Sequence, residues 1–172
     1  MATKGRLLST ARLNRLHAQG YFDISDADLS DLAFGNRFAY ILCVTITAIG
    51  VATANIPTLL VMTAIAFLGV VLPNHPFDYV YNHVLRGALK KPKLPRRSRQ
   101  LKFTCVMATL WLIATVLLFN ADLTAAGYVL GGLLVAVALT VSTTDFCIPS
   151  MIHNFIFRVK VQKQRLPDLA FE

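Results

Sequence analysis

The chain has 172 residues, 55% of them hydrophobic, a mean hydropathy of +0.56 and a formal net charge of +8. That length admits one compact domain, but the arrangement of the apolar residues excludes a soluble globule. They gather in four blocks nearly free of charge, and none of the four shows the polar face that a water-exposed helix needs. The positive charge flanks the blocks, so it points to anionic lipid and membrane topology and away from nucleic acid.

Taken in chain order, residues 1–37 come first and carry Lys4, Arg6, Arg12, Arg15 and Arg37. They lack an uninterrupted apolar stretch of the kind a secretory signal needs, so the first span is expected to be retained and to direct insertion itself. Leu7, Leu8, Ala11 and either Arg15 or Leu16 suggest a basic amphipathic helix. Ser25 followed by Asp28 reads as a helix start. Asp23, Asp26, Asp28 and Asp31 form an acidic cluster, either a solvated turn or a docking site for a basic partner.

The four blocks run over residues 38–54, 58–72, 103–119 and 124–144. Each holds about 15–21 residues, or about 23–32 Å of helix. The second and third are short for a hydrocarbon core of about 30 Å, so their ends extend into flanking residues or the bilayer thins around them. Asn55-Ile56-Pro57 parts the first two; proline ends one helix and opens the next, where the missing amide hydrogen is not needed. All 17 lysines and arginines lie in the N-terminal segment, the central loop 73–102 or the tail after the fourth block, and the two short turns hold none. The predicted fold is therefore an all-α four-helix membrane bundle with both termini on the cytoplasmic side.

Within the central loop, Phe77, Val80, Tyr81, Val84, Leu85 and Ala88 fall on one helical face, with Asp78, Asn82, His83 and Arg86 opposite. Asn74 is the expected cap. The stretch that follows carries Lys90, Lys91, Lys93, Arg96, Arg97 and Arg99 around Pro92 and Pro95, and is expected to be an extended linker facing anionic lipid. In residues 146–172, Met151, Ile152, Phe155, Ile156 and Val159 make another apolar stripe with basic residues beside it, the pattern of a helix lying in the interface.

Candidate chemistry is sparse. Cys43, Cys105 and Cys147 all map to the cytoplasmic leaflet, where thiols stay reduced, and Cys43 and Cys105 read as packing. Asp145 sits where the fourth span meets the interface and needs a partner: Arg37, Lys102 or a histidine. With Cys147 two residues on, it is the one weak catalytic candidate. His17, His75, His83 and His153 offer no close ligand pair and none lies inside a span, so neither metal nor any other cofactor is expected. Gly127 and Gly131 form a Gly-x-x-x-Gly, continued by Gly132 and Ala136. That small-residue face suits packing within the bundle or contact with another subunit.

The proline-containing turn, the Pro76-Phe77…Tyr81…Leu85-Arg86 helix, the basic Pro-rich loop and the closing Cys147-Ile148-Pro149-Ser150 together resemble a bacterial family of small four-span membrane proteins of unknown function, over about residues 34–155. In that family the closing motif commonly reads Cys-x-x-Cys. Here serine replaces the second cysteine, so the dithiol redox role that the resemblance would imply lacks its second thiol, and Cys147 alone is left for persulfide or mixed-disulfide chemistry. The leading expectation is a non-catalytic subunit or scaffold of a larger membrane complex, with other membrane proteins and anionic lipid as partners. A membrane thiol protein centred on Cys147 comes second, and a small transporter third.

Overall fold

The computed structural model describes residues 7–22 and 24–159. Lys4, Arg6, Asp23, Lys160, Lys163 and Arg165 lie outside the described residues. The elements are α1 (Thr10–Ala18), α2 (Asp26–Ala52), α3 (Ile56–Val71), α4 (Pro76–Val80), a π-helical turn (Tyr81–Leu85), α5 (Arg86–Leu89), α6 (Arg99–Asn120), α7 (Thr124–Thr144) and α8 (Ile148–Ile156), with no strand among the described residues.

Polar caps set where the long helices begin. Ser25 accepts from the Asp28 amide, Asn55 from Thr58 and Ser98 from Leu101, and each satisfies an amide that has no partner within its helix. The helix that carries the first apolar block therefore starts at Asp26, ahead of the block's first residue, Phe38. At 27 residues α2 is about 40 Å long, more than a hydrocarbon core takes, so its acidic first turns stand proud of the apolar part. The two turns at the far end of the bundle close the same way. In each, the second residue beyond the helix adopts the left-handed conformation (Ala54, φ 47°; Asp122, φ 56°), and the next amide reaches back five residues, Asn55 to Gly50 and Leu123 to Leu118.

In the bundle α3 lies mainly on α6, and α2 mainly on α7. Two apolar cores fill it. Val51, Leu59, Met62, Leu112, Val116, Phe119 and Leu134 pack toward the two short turns. Leu13, Leu16, Leu29, Tyr40, Leu101, Val141 and Cys147 pack at the opposite end, beneath α1. Large apolar side chains, among them Val61, Phe67, Leu110, Leu117 and Val129, remain exposed along the outer faces of the long helices, a surface that water solvates poorly.

The central loop departs from its expected form. His75, not Asn74, caps α4: its Nδ1 accepts from the Phe77 amide while Asp78 accepts from the His75 amide. Asn74 instead donates to the Pro95 carbonyl. The π-helical turn adds a residue to one turn and shifts the register. Tyr81 is buried, Val80 and Val84 face out, and Asp78, expected on the polar side, is 3% exposed.

Candidate functional site

Asp78 is buried because Arg97 comes to meet it. Arg97 Nε donates to Asp78 Oδ2 at 2.6 Å and Nη2 donates to Oδ1 at 3.0 Å. Only 5% of the Arg97 side chain and 4% of the Asp78 side chain is exposed. Burial opposes the guanidinium charge, but Asp78 more than offsets it, and the Arg97 pKa stands above its ordinary value. Arg97 was expected to face lipid; it is folded inward, held by the Asp78 carboxylate and by its own amide, which donates to the Pro73 carbonyl. Lys91 pairs with Asp31 at 2.9 Å. Lys90, Lys93, Arg96 and Arg99 are exposed.

Arg97 and His75 border a partly open chamber of about 260 Å³ inside the bundle. Its wall is apolar, from Met62 and Ala66 of α3 through Trp111 and Leu112 of α6 to Leu134, Val137 and Val141 of α7. All three cysteines line it: Cys43 from α2, Cys105 from α6 and Cys147 from the start of α8. The sequence places the three thiols at one level of the bundle. That they converge on one space depends on how each helix is rotated, and spans without a polar face do not disclose that. One signal was present: Tyr40, Cys43 and Thr47 fall at i, i+3 and i+7, one stripe of α2, and all three line the chamber.

Cys147 is 3% exposed. Its sulfur lies 3.1 Å from the Ser150 hydroxyl and 3.3 Å from Thr104 Oγ1. The first and fourth residues of Cys147-Ile148-Pro149-Ser150 are thus neighbours in space. His75 fills the gap at Gly69, where a Cβ would meet His75 Cδ2 at 2.6 Å and Cys105 Sγ at 2.9 Å. Its Nε2 lies 3.9 Å from Cys43 Sγ. Because Nδ1 accepts the Phe77 amide, the ring proton is on Nε2. Burial and the Arg97 cation push His75 down to about 4, with Asp78 pulling the other way, so the ring is neutral. Among the described residues no group of three or more histidine, cysteine or acidic side chains is placed to hold a metal ion.

Asp145, the other weak candidate, is a structural hub. It ends α7 in the left-handed conformation (φ 59°) with its side chain 1% exposed. Arg37 binds its carboxylate with two nitrogens, at 2.8 and 2.9 Å, and Arg12 adds a third bond at 2.8 Å. The same arginine layer caps the negative end of the helix: Arg37 donates to the Thr143 carbonyl and Arg15 to that of Thr144, at 2.9 Å, while Gln19 donates to the Asp145 carbonyl at 2.7 Å. Arg37 was among the partners expected for Asp145. Arg12, Arg15 and Gln19 were not, although their i, i+3, i+7 spacing is a polar stripe on α1. They strap α1 across this end of the bundle, and Asn154 of α8 ties in through the Ala18 carbonyl at 2.8 Å. At the end of the strap Gly20 has φ 97°, and a Cβ there would lie 2.5 Å from Gln100 and Ser98.

The small residues of α7 divide. A Cβ at Gly127 would meet the Phe119 ring at 2.7 Å, and one at Gly131 would meet Val51 at 2.7 Å, so both serve contacts within the bundle. Gly132 has nothing within 4 Å, and Ala136 is exposed beside it.

An all-helical chain with three helices long and apolar enough to cross a membrane, or four if the pair Ile56–Val71 and Pro76–Leu89, bent by 79°, counts as one, fits a multi-pass membrane protein. The chain belongs to the family described as a domain of unknown function, DUF4395, whose model matches residues 34–158. That stretch contains the whole chamber and Asp145 and leaves α1 outside. No curated protein and no solved structure matches the chain.

Proposed function

We propose that this protein is a thiol-lined binding protein of the bacterial inner membrane, holding a small apolar molecule between its helices, with four spans and both ends on the cytoplasmic side. The orientation is supported by the confinement of every lysine and arginine to the segments at one end. On this reading α3, with 16 residues and about 24 Å, crosses a locally thinned bilayer, and the exposed Lys90, Lys93, Arg96 and Arg99 meet anionic headgroups.

One observation carries the functional reading: three cysteines from three separate helices line one partly open, largely apolar chamber. An apolar cavity of about 150 Å³ is enough to bind benzene, so the chamber accommodates a larger ring system. Met62 and Met107 add thioethers to the three thiols. Polarizable sulfur packs well against aromatic edges, which favours an aromatic or unsaturated occupant. Bringing the thiols together raises the thiol reading above that of a passive subunit.

Alkylation tests it. In membranes opened to both sides, the neutral, permeant N-ethylmaleimide should modify Cys43, Cys105 and Cys147, slowly because buried thiols are poor nucleophiles, while a charged sulfonated thiosulfonate of similar size leaves all three untouched. Equal modification by both reagents would mean that the thiols open to water and that no apolar chamber shields them.

A second reading, a non-catalytic subunit of a larger membrane complex, is favoured by the unfilled outer face at Gly132 and Ala136, where another helix can approach closely. Gly132→Leu should then abolish co-purification of a partner in mild detergent.

A further inference from the structure

We infer that the occupant of the chamber is a neutral molecule with one hydrogen-bond acceptor, a carbonyl-type oxygen, received by the Tyr40 hydroxyl and by His75 Nε2–H. This rests on the chamber reading above and names the class of ligand.

Neutrality follows from the charges at the wall. Arg97 is the cation there, and Asp78 neutralises it through two hydrogen bonds in a pair almost wholly out of water. An anion would have to compete with that carboxylate, and a cation would find no free acceptor of opposite charge on the chamber wall. His75 adds no charge, because its Nδ1 lone pair is engaged by the Phe77 amide.

The acceptor follows from donors the protein leaves short of partners. Tyr40 is 8% exposed, and its hydroxyl is buried without a hydrogen-bond partner. His75 is 3% exposed, and Nε2–H faces only a thiol sulfur 3.9 Å away, a weak acceptor at long range. Buried donors are paired as a rule, with protein, an ordered water or a bound molecule. Both belong to the wall of the same chamber. Thr47, on the Tyr40 stripe, forms no bond among the described residues of the kind that Thr45 and Thr53 make to the carbonyl four residues back. A ligand oxygen supplies the partner these groups lack, while the rest of the molecule packs against apolar wall.

Two probes that share a bicyclic skeleton and differ by one carbonyl, 1-tetralone and tetralin, separate the claims. The full-length protein in lipid nanodiscs is titrated with each, at concentrations corrected for partitioning into lipid. Half-protection of the three cysteines from N-ethylmaleimide is read by mass spectrometry. Tetralone should protect at a concentration about three- to tenfold lower than tetralin, the range one added neutral hydrogen bond gives. Tyr40→Phe should shrink that ratio without moving the tetralin value. So should His75→Asn, which keeps a side-chain oxygen to cap α4, and the double variant should bring the ratio to about one. Thermal unfolding of each variant shows whether it is folded. A ratio of one in the wild type, or an unchanged ratio in the folded double variant, overturns the acceptor claim and leaves the chamber standing. Failure of both probes to protect overturns the chamber as well.

Discussion

Asp145 holds α1 to the bundle, and replacing it with asparagine isolates that contribution. Asparagine keeps the shape and one acceptor oxygen but removes the charge and turns an NH2 toward arginine donors. The carboxylate is 1% exposed and receives three charge-assisted bonds. Losing one member of a buried ion pair typically costs about 3–5 kcal/mol. Arg12 and Arg37, with side chains 31% and 24% exposed, recover part of their hydration, so the lower end, about 3 kcal/mol, is expected. At 1.4 kcal/mol per decade this is about a hundredfold. Hydrogen exchange reads it directly: amides from Leu13 to Gln19 should lose about two orders of magnitude of protection in Asp145→Asn, while those in the middle of α6 keep theirs. Arg37→Gln should cost more than Arg12→Gln, because Arg37 is bidentate and also caps the Thr143 carbonyl. In combination with Asp145→Asn, each should fall short of additivity. Unchanged protection of α1, or effects that simply add, would refute the hub.

Four further outcomes follow. Gly131→Leu drives a side chain into Val51 and Thr115 and should destabilise the bundle by more than the roughly 1–3 kcal/mol typical of overpacking, whereas Gly132→Leu should leave thermal stability within about 0.5 kcal/mol. Ala54→Gly relieves a left-handed alanine and should stabilise by up to about 1 kcal/mol, seen as a raised Tm in detergent. His75, faced by Asp78, Arg97, Cys43 and Cys105, is held at about 4 against an ordinary 6.5. Its burial therefore costs nothing above pH 6.5, and stability falls by up to about 3 kcal/mol as the pH drops from 6.5 toward 4. His75→Asn should flatten that slope relative to wild type. In a cysteine-free background, cysteines placed at Asn55 and Asp122 should react with an impermeant reagent from outside the cell, and one at Arg96 should not; labelling at Arg96 would reverse the proposed orientation.

How much was legible in the sequence varied with the kind of signal. Charge-free apolar blocks mark long helices well, and the fourth block coincides with α7 at Thr124–Thr144. The start of the first did not, because a Ser25 cap and polar turns extend α2 beyond its apolar part. Asp78 was placed on the polar face of an ideal helix, and neither the π-helical turn nor an arginine arriving from 19 residues away has a local signature. Arg97 was expected to meet lipid for the same reason: a cation in a basic loop looks alike whether it faces headgroups or a buried carboxylate. Cys43 and Cys105 read as packing because a thiol in a wholly apolar span gives no indication of the direction it faces. Only the three-dimensional placement joins them to Cys147 and His75.

The central claim is that one small apolar molecule sits among the three thiols, and anomalous diffraction tests it most directly. Crystals grown with 1-bromonaphthalene should show a bromine peak inside the bundle, within about 4–5 Å of the wall that carries Cys43, Cys105 and Cys147, and filling the space with Ala138→Phe should remove it. Bromine found only on the outer faces of the helices, or an interior peak that survives Ala138→Phe, would contradict the account.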